Sequence, residues 1–196
     1  MRRTDEDGQD LGSFGAFDAA AYVTVAQRFW KNRLTLGANL KTVYSRIDDY
    51  AADAYMIDVG LLAPGPLAGM TLGASLSNLG FVRSGYGDFK DSLPVQVRFG
   101  LTHRPAHLPV PMVLLADWVV PNDGDPYFAF GLELQVVGGL YLRPGYSAQP
   151  TGAQGDEALG LTAGAGFAFK QRRLDYAYNS YPDLGEVHRL SLSSPF

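Results

Sequence analysis

Arg33-Leu34-Thr35-Leu36-Gly37-Ala38-Asn39-Leu40-Lys41-Thr42-Val43-Tyr44 decides the fold class. Leu34, Leu36, Ala38 and Leu40 alternate with Thr35, Gly37, Asn39 and Lys41. In a strand, successive side chains point to opposite faces, so this stretch has one apolar and one polar face. The same period of two recurs along the chain. It is clear in Met70 to Ser77, Pro94 to His103, Tyr127 to Val136, Leu161 to Phe169 and around Leu190 and Leu192. Weaker strands are expected over Ala16 to Phe29, Ala54 to Ala63, Met112 to Val120, Leu140 to Ser147 and Arg173 to Asn179. The reading is about eleven strands of roughly 8–14 residues and no helix.

Composition narrows the classes. The chain has 196 residues, with Lys+Arg 16 against Asp+Glu 20 and a net charge of -4. That balance argues against nucleic acid, which needs a concentrated basic surface. Cys is 0, which excludes a disulfide scaffold, a Cys-ligated zinc and a Cys nucleophile. Charged residues are 18%, below the roughly 25% of soluble domains. The mean hydropathy of -0.05 disfavours a helical membrane protein. It does not disfavour a membrane β-barrel, in which half of every strand is polar. No apolar run reaches the roughly 18 residues of a spanning helix. Met1-Arg2-Arg3 runs into Asp5-Glu6-Asp7 with no apolar export region behind it.

Connections are expected to alternate in length. Trp30 to Asn32, Pro64 to Gly69, Gly138-Gly139 and Lys170 to Arg172 read as short. Arg46 to Asp53, Leu79 to Leu93, Ala148 to Gly160 and Ser180 to Glu186 read as longer and acidic, while Pro105 to Pro111 and Pro121 to Pro126 are intermediate. Short turns on one side and long loops on the other are the habit of an outer-membrane meander. About eleven strands would enclose a lumen too wide to fill with apolar side chains, so the apolar rows would face lipid. A β-sandwich hiding the same rows between two sheets is the alternative.

The mid-strand charges Lys41, Asp58, Arg98, Asp117, Glu133, Arg143, Asp175 and Arg189 all fall on the polar rows. The expected lumen pairs are Lys41 with Asp58, Glu133 with Arg143 and Asp175 with Arg189, with Arg98 and Asp117 as further lumen charges. On a sandwich the same residues would be ordinary solvated charges. Trp30, Tyr44, Trp118, Tyr127, Tyr146 and Tyr178 lie near strand ends, as an aromatic girdle would or as β-propensity alone would place them.

Catalytic signatures are missing: the sequence holds no G-x-S-x-G elbow, P-loop or H-E-x-x-H. His103, His107 and His188 lack metal-ligand spacing, and Asn122-Asp123-Gly124-Asp125 reads as a turn rather than a calcium loop. The expectation is a noncatalytic protein with no cofactor and no metal.

An odd strand count places the two ends of the meander on opposite sides, whereas single-chain bacterial barrels use an even number. The expectation is a polar segment over 1–12, read as a former extracellular loop, followed by a barrel domain over 13–196. An odd number of strands would be missing ahead of it, leaving the barrel open or incompletely closed.

Several stretches carry a family resemblance. They are Leu174-Asp175-Tyr176-Ala177-Tyr178, Asp183-Leu184-Gly185, His188-Arg189-Leu190-Ser191-Leu192 with a terminal Phe196, Leu76-Ser77-Asn78-Leu79-Gly80 and Arg143-Pro144-Gly145-Tyr146. Together they resemble the PorV/PorQ family of outer-membrane proteins, which are FadL-like barrels. The resemblance spans essentially residues 11–196. It implies an antiparallel up-and-down transmembrane barrel of about fourteen strands. It also implies an outer-membrane location and a role in type IX secretion and the surface handling of exported cargo. The implied partners are membrane lipid, secretion-system proteins and the barrel assembly machinery, read through Leu190, Leu192 and Phe196. The alternatives are FadL-like transport of a hydrophobic small molecule and a soluble β-sandwich binding module.

Overall fold

The computed structural model describes residues 2–4, 10–13, 15–31, 33–85, 92–106, 108–149, 160–181 and 185–195. Phe196, His107, Asp88, Asp91, Asp156, Glu157 and Asp183 lie outside the described residues. Two short strands open the chain, β1 (Arg2–Thr4) and β2 (Asp10–Ser13), and pair with each other. The segment read as a loop thus holds a small two-stranded sheet of its own.

Eleven strands follow: β3 (Ala16–Phe29), β4 (Leu34–Ile47), β5 (Tyr50–Pro64), β6 (Met70–Ser84), β7 (Gln96–His103), β8 (Met112–Pro121), β9 (Tyr127–Val137), β10 (Leu140–Ser147), β11 (Leu161–Phe169), β12 (Arg172–Tyr181) and β13 (Gly185–Ser193). They form one antiparallel sheet in which every strand pairs with its chain neighbours. Among the described residues there is no helix and no second sheet stacked on this one, so the strands do not form a sandwich. β3 and β13 are the two edges, and among the described residues no pairing joins them.

Three connections differ from the sequence reading. Ser180 to Glu186 is largely strand, since Ser180 pairs with Glu186 and Tyr181 with Gly185. Arg46 to Asp53 is not a loop: Ile47 pairs with Tyr50, and the turn is Asp48-Asp49 alone. Asp48 takes φ 57 there, a left-handed conformation that Asp tolerates. Leu79 to Ser84, the start of the connection read over Leu79 to Leu93, also belongs to a strand, because β6 continues through the Asn78-Leu79-Gly80 stretch.

That stretch does have turn chemistry, and it is used inside the strand. Asn78 has φ 62. Ile57 faces Leu79 and Val59 faces Leu76, so Asp58 stands opposite two residues, Ser77 and Asn78. This is a β-bulge. It re-phases the strand. Before it, Leu72, Ala74 and Leu76 share the apolar face; after it, Leu79 and Phe81 do. An unbulged β6 would turn Leu79 and Phe81 onto the polar face.

Replacing Asn78 with valine is expected to destabilise the fold by about 1–3 kcal/mol, since a β-branched residue is strained at positive φ. Asn78→Gly should cost less, because glycine adopts this φ freely. Deletion of Asn78 leaves Ser77 alone opposite Asp58 and keeps Leu79 and Phe81 on the apolar face, so its cost is that of the lost Asn78 hydrogen bonds and not of a reversed phase. Urea unfolding midpoints of the three variants rank the effects.

Register places every strand on one common pair of faces. The polar face carries Thr24, Asn39, Lys41, Asp58, Ser75, Arg98, Asp117, Glu133, Arg143, Gly164, Gly166, Asp175 and Arg189. The opposite face carries the leucines, valines and most aromatics, with the stacked row Phe99, Trp118 and Phe128 across β7, β8 and β9. Tyr127 departs from the girdle expectation: it pairs with Val119 on the polar face.

Burial runs opposite to that of an ordinary domain. The buried hydrophobics among the described residues are Met56 and Val119, and both lie on the polar face. Lys41 is sheltered, with its side chain 13% exposed, whereas neighbouring Leu40 is 61% exposed. Leu190 and Leu192 are 73% and 75% exposed. The polar face is therefore the inner one, and the apolar face is the outer surface.

Candidate functional site

Two side-chain networks occupy the polar face. The first is built on β3 to β6. Lys41 Nζ lies 2.6 Å from Asp58 Oδ1 and also donates to the Asn78 side-chain carbonyl. Register sets Lys41 opposite Met56 and Asp58 opposite Asn39, so the lysine reaches its partner diagonally. Asn39 Nδ2 donates to Asp58 Oδ2 at 3.0 Å, and the backbone N–H of Asn78 donates to Asp58 Oδ1 at 2.8 Å. Thr24 Oγ1 donates to Asn39 Oδ1 at 2.9 Å, and Asn78 Nδ2 donates to the Pro94 carbonyl at 2.8 Å. Asp58 thus satisfies the backbone donor that the bulge removes from the ladder. Ion pair and bulge form one unit, tied from β3 to the segment entering β7.

The second network is built on β9, β10 and β12. Arg143 Nε lies 2.7 Å from Glu133 Oε2 and Arg143 Nη1 lies 2.8 Å from Asp175 Oδ1. Arg173 reaches the same acids, at 2.9 Å from Asp175 and 3.3 Å from Glu133. Both guanidinium groups lie over the Tyr141 ring, at 5.7 and 5.2 Å. β12 and β9 are three strand spacings apart, roughly 14 Å along a flat sheet. Two side chains can close that distance only where the sheet curls toward its polar face, so this contact measures the curl.

Glycines make the crossing possible. Arg143 passes over β11, which presents Gly164 and Gly166 beneath it. A Cβ on Gly166 would sit 2.5 Å from Asp175 Oδ1 and 2.7 Å from Arg143 Nη2. Gly166→Val is therefore expected to push the two ends apart and cost about 1–3 kcal/mol, an overpacking penalty read as a lowered urea midpoint. Gly100 has the same role beside Asp117, whose carboxylate fills the space a Cβ would need.

Of the sequence-derived residues, Lys41 meets Asp58 and Glu133 meets Arg143. Asp175 does not meet Arg189. Arg143 and Arg173 take up Asp175, while Arg189 stands opposite Ala177 and donates to Asn179 at 3.4 Å. Arg98 and Asp117, read as separate charges, form a pair at 3.1 Å between β7 and β8. The sequence reading missed Arg173. Its spacing of two from Asp175 on one strand places both on one face, and that signal was available. Leu190 and Leu192 share the outer face of the edge strand β13.

The polar face also holds a cavity of about 640 Å3 across β3 to β8, with Thr24, Asn39, Asp58, Arg98, Arg104 and Asp117 in its wall. Among the described residues no group of His, Cys, Asp or Glu is arranged to hold a metal.

Fold and site together define an all-β protein: a single antiparallel up-and-down sheet, curled toward a charge-paired face, with its apolar face outward. No family model matches the chain, and no curated protein or solved structure does so either.

Proposed function

We propose that this chain forms the wall of a noncatalytic outer-membrane β-barrel of PorV/PorQ type, working in type IX secretion and the surface handling of exported cargo. One observation carries the membrane part of this reading: the large apolar side chains are exposed, whereas Lys41, Asp58, Glu133, Arg143 and Asp175 are sheltered. In water such a surface is an aggregation liability, because monomers rarely expose contiguous apolar patches beyond a few hundred Å2. Against hydrocarbon it is the required arrangement. Mid-strand ionic side chains on the lipid side would be costly, and the ion pairs described above are all on the other side; two further pairs, Arg83–Asp53 and His188–Glu186, lie on the apolar side. Those two lie near the strand ends at which the longer connections 85–95 and 148–160 join. The curl supports the same reading, since a barrel wall is a meander curled in this sense.

The secretion role rests on the resemblance of the Leu174 to Leu192 tail and the Leu76 to Gly80 stretch. The partners are membrane lipid, the assembly machinery engaging the C-terminal strand, and secretion-system proteins.

Expression behind a periplasmic export signal, followed by an alkaline wash, tests the location. The protein should remain in the outer-membrane fraction and be released only by detergent. Recovery in the soluble periplasmic fraction would end the membrane reading. Gene deletion in the native host tests the role. Loss of cargo attachment with intact fatty-acid uptake supports secretion, and the converse transfers the reading to transport of hydrophobic small molecules.

A further inference from the structure

The chain is acidic overall, with Lys+Arg 16 against Asp+Glu 20, yet one rim of the sheet is basic. In an up-and-down meander every second connection lies at the same end. Arg28, Lys31 and Arg33 stand at the β3–β4 turn, Arg104 follows β7, and Lys170 and Arg172 stand at the β11–β12 turn. All are exposed. Among the described residues none of them forms an ion pair. No Asp or Glu occurs in 26–37, 101–114 or 164–174. The opposite rim is the reverse: Asp48, Asp49, Asp123 and Asp125 lie there, and its Arg83 is paired with Asp53.

The cations come with exposed apolar groups. Trp30, between Arg28 and Lys31, is 77% exposed. Lys170 Nζ lies 5.4 Å from the centre of the exposed Phe169 ring. Beside the uncharged connections of this rim, Leu67 and Val137 are exposed. Lys and Arg beside tryptophan and other apolar residues is the composition of a membrane–water interface. Backbone geometry singles out the first turn. Trp30 and Lys31 take φ 46 and 55, whereas the turn after β9 uses Gly138 and Gly139 at φ 50 and 93. A bulky residue at positive φ is strained, and glycine would relieve it. Side chains held at that cost point to a contact outside the hairpin.

Spacing indicates what the contact is. The charged turns are four strands apart, roughly 19 Å along the sheet, with an uncharged one between. A row so sparse suits many separate small anions better than one compact acidic protein. We propose that this rim binds the phosphate headgroups of anionic phospholipid, its arginines and lysines on the phosphates and Trp30 and Phe169 at headgroup level. The proposal rests on the membrane reading and adds a lipid class and a side to it.

The probe is phosphatidylglycerol brominated in its acyl chains. It is compared with brominated phosphatidylcholine at equal mole fraction, in vesicles of unbrominated phosphatidylcholine holding the full chain. Bromine quenches tryptophan on contact, and Trp118→Phe leaves Trp30 as the single tryptophan. Phosphatidylglycerol should be favoured beside Trp30 at least about fivefold, the effect of one Lys or Arg near an anionic surface. The triple exchange Arg28→Gln, Lys31→Gln, Arg33→Gln should remove the preference. So should about 1 M salt, where the screening length falls to about 3 Å. Equal quenching by the two lipids would overturn the proposal and leave the membrane reading standing. Quenching by neither would overturn both. A preference that survives the triple exchange, in protein that keeps its β-sheet circular dichroism, would also overturn the proposal. Should that variant fail to insert, the salt arm decides: an unchanged preference at high salt overturns it. Equal quenching together with capture of soluble polyglutamate would transfer the rim to an acidic protein partner.

Discussion

Exchanging Leu40 for arginine is expected to destabilise the protein by about 2–4 kcal/mol in a lipid bilayer. In water the same exchange should change stability by less than about 0.5 kcal/mol, as for most surface substitutions. Leu40 lies in the middle of β4 on the outer face and is 61% exposed. A guanidinium there has no acid in reach on its own face, because the neighbouring charges Lys41 and Asp58 are on the other. If lipid covers this face, the charge must be desolvated or the bilayer deformed around it. If water covers it, the arginine is simply hydrated. Refolding into vesicles, with urea titration of wild type and variant, measures the difference. A loss below about 0.5 kcal/mol in vesicles would remove the physical basis of the membrane assignment.

The second large effect is expected at Arg143. Its replacement by methionine should cost about 2–3 kcal/mol, seen as an earlier urea midpoint. Glu133 and Asp175 would then share Arg173 alone. The general cost of breaking a buried ion pair from one side is about 3–5 kcal/mol. The smaller figure applies because these side chains keep about a quarter of their exposure, and solvent screens what remains. The compensated triple variant Glu133→Gln, Arg143→Met, Asp175→Asn should recover much of the loss, because no uncompensated acid is left. A triple variant no better than Arg143→Met alone would mean that the arginine acts by packing against Tyr141 and not by charge. Gly166→Val should add little to Arg143→Met, since both disturb one contact.

Much of this architecture is legible in the residues. The period of two places eleven strands, and the strands from Leu140–Ser147 and Leu161–Phe169 coincide with their sequence boundaries. Antiparallel order follows from connections too short for crossovers. The diagonal pair Lys41–Asp58 and the neighbour pair Glu133–Arg143 were foreseeable because adjacent strands bring adjacent polar rows together. Arg143 crossing to Asp175 was not. That contact skips a strand, so it depends on curl and on glycines beneath the crossing, neither of which is a property of one strand pair. The Asp175–Arg189 expectation failed for the same reason: nearest-neighbour logic overlooked a competitor one strand further away. At Asn78, local chemistry correctly indicates positive φ, but whether such a residue ends a strand or bulges within it depends on the partner. Asp58, supplied from β5, is what makes the bulge satisfiable.

The sequence by itself determined the strands, their alternating faces and the order of the meander, because side-chain period and connection length are local properties. Only the tertiary structure decided which face is inner. Alternation is symmetric between an apolar and a polar interior, and the asymmetry enters only when the sheet curls. Here it curls so that Arg173 reaches Glu133, Lys41 is sheltered and Leu40 is left outside.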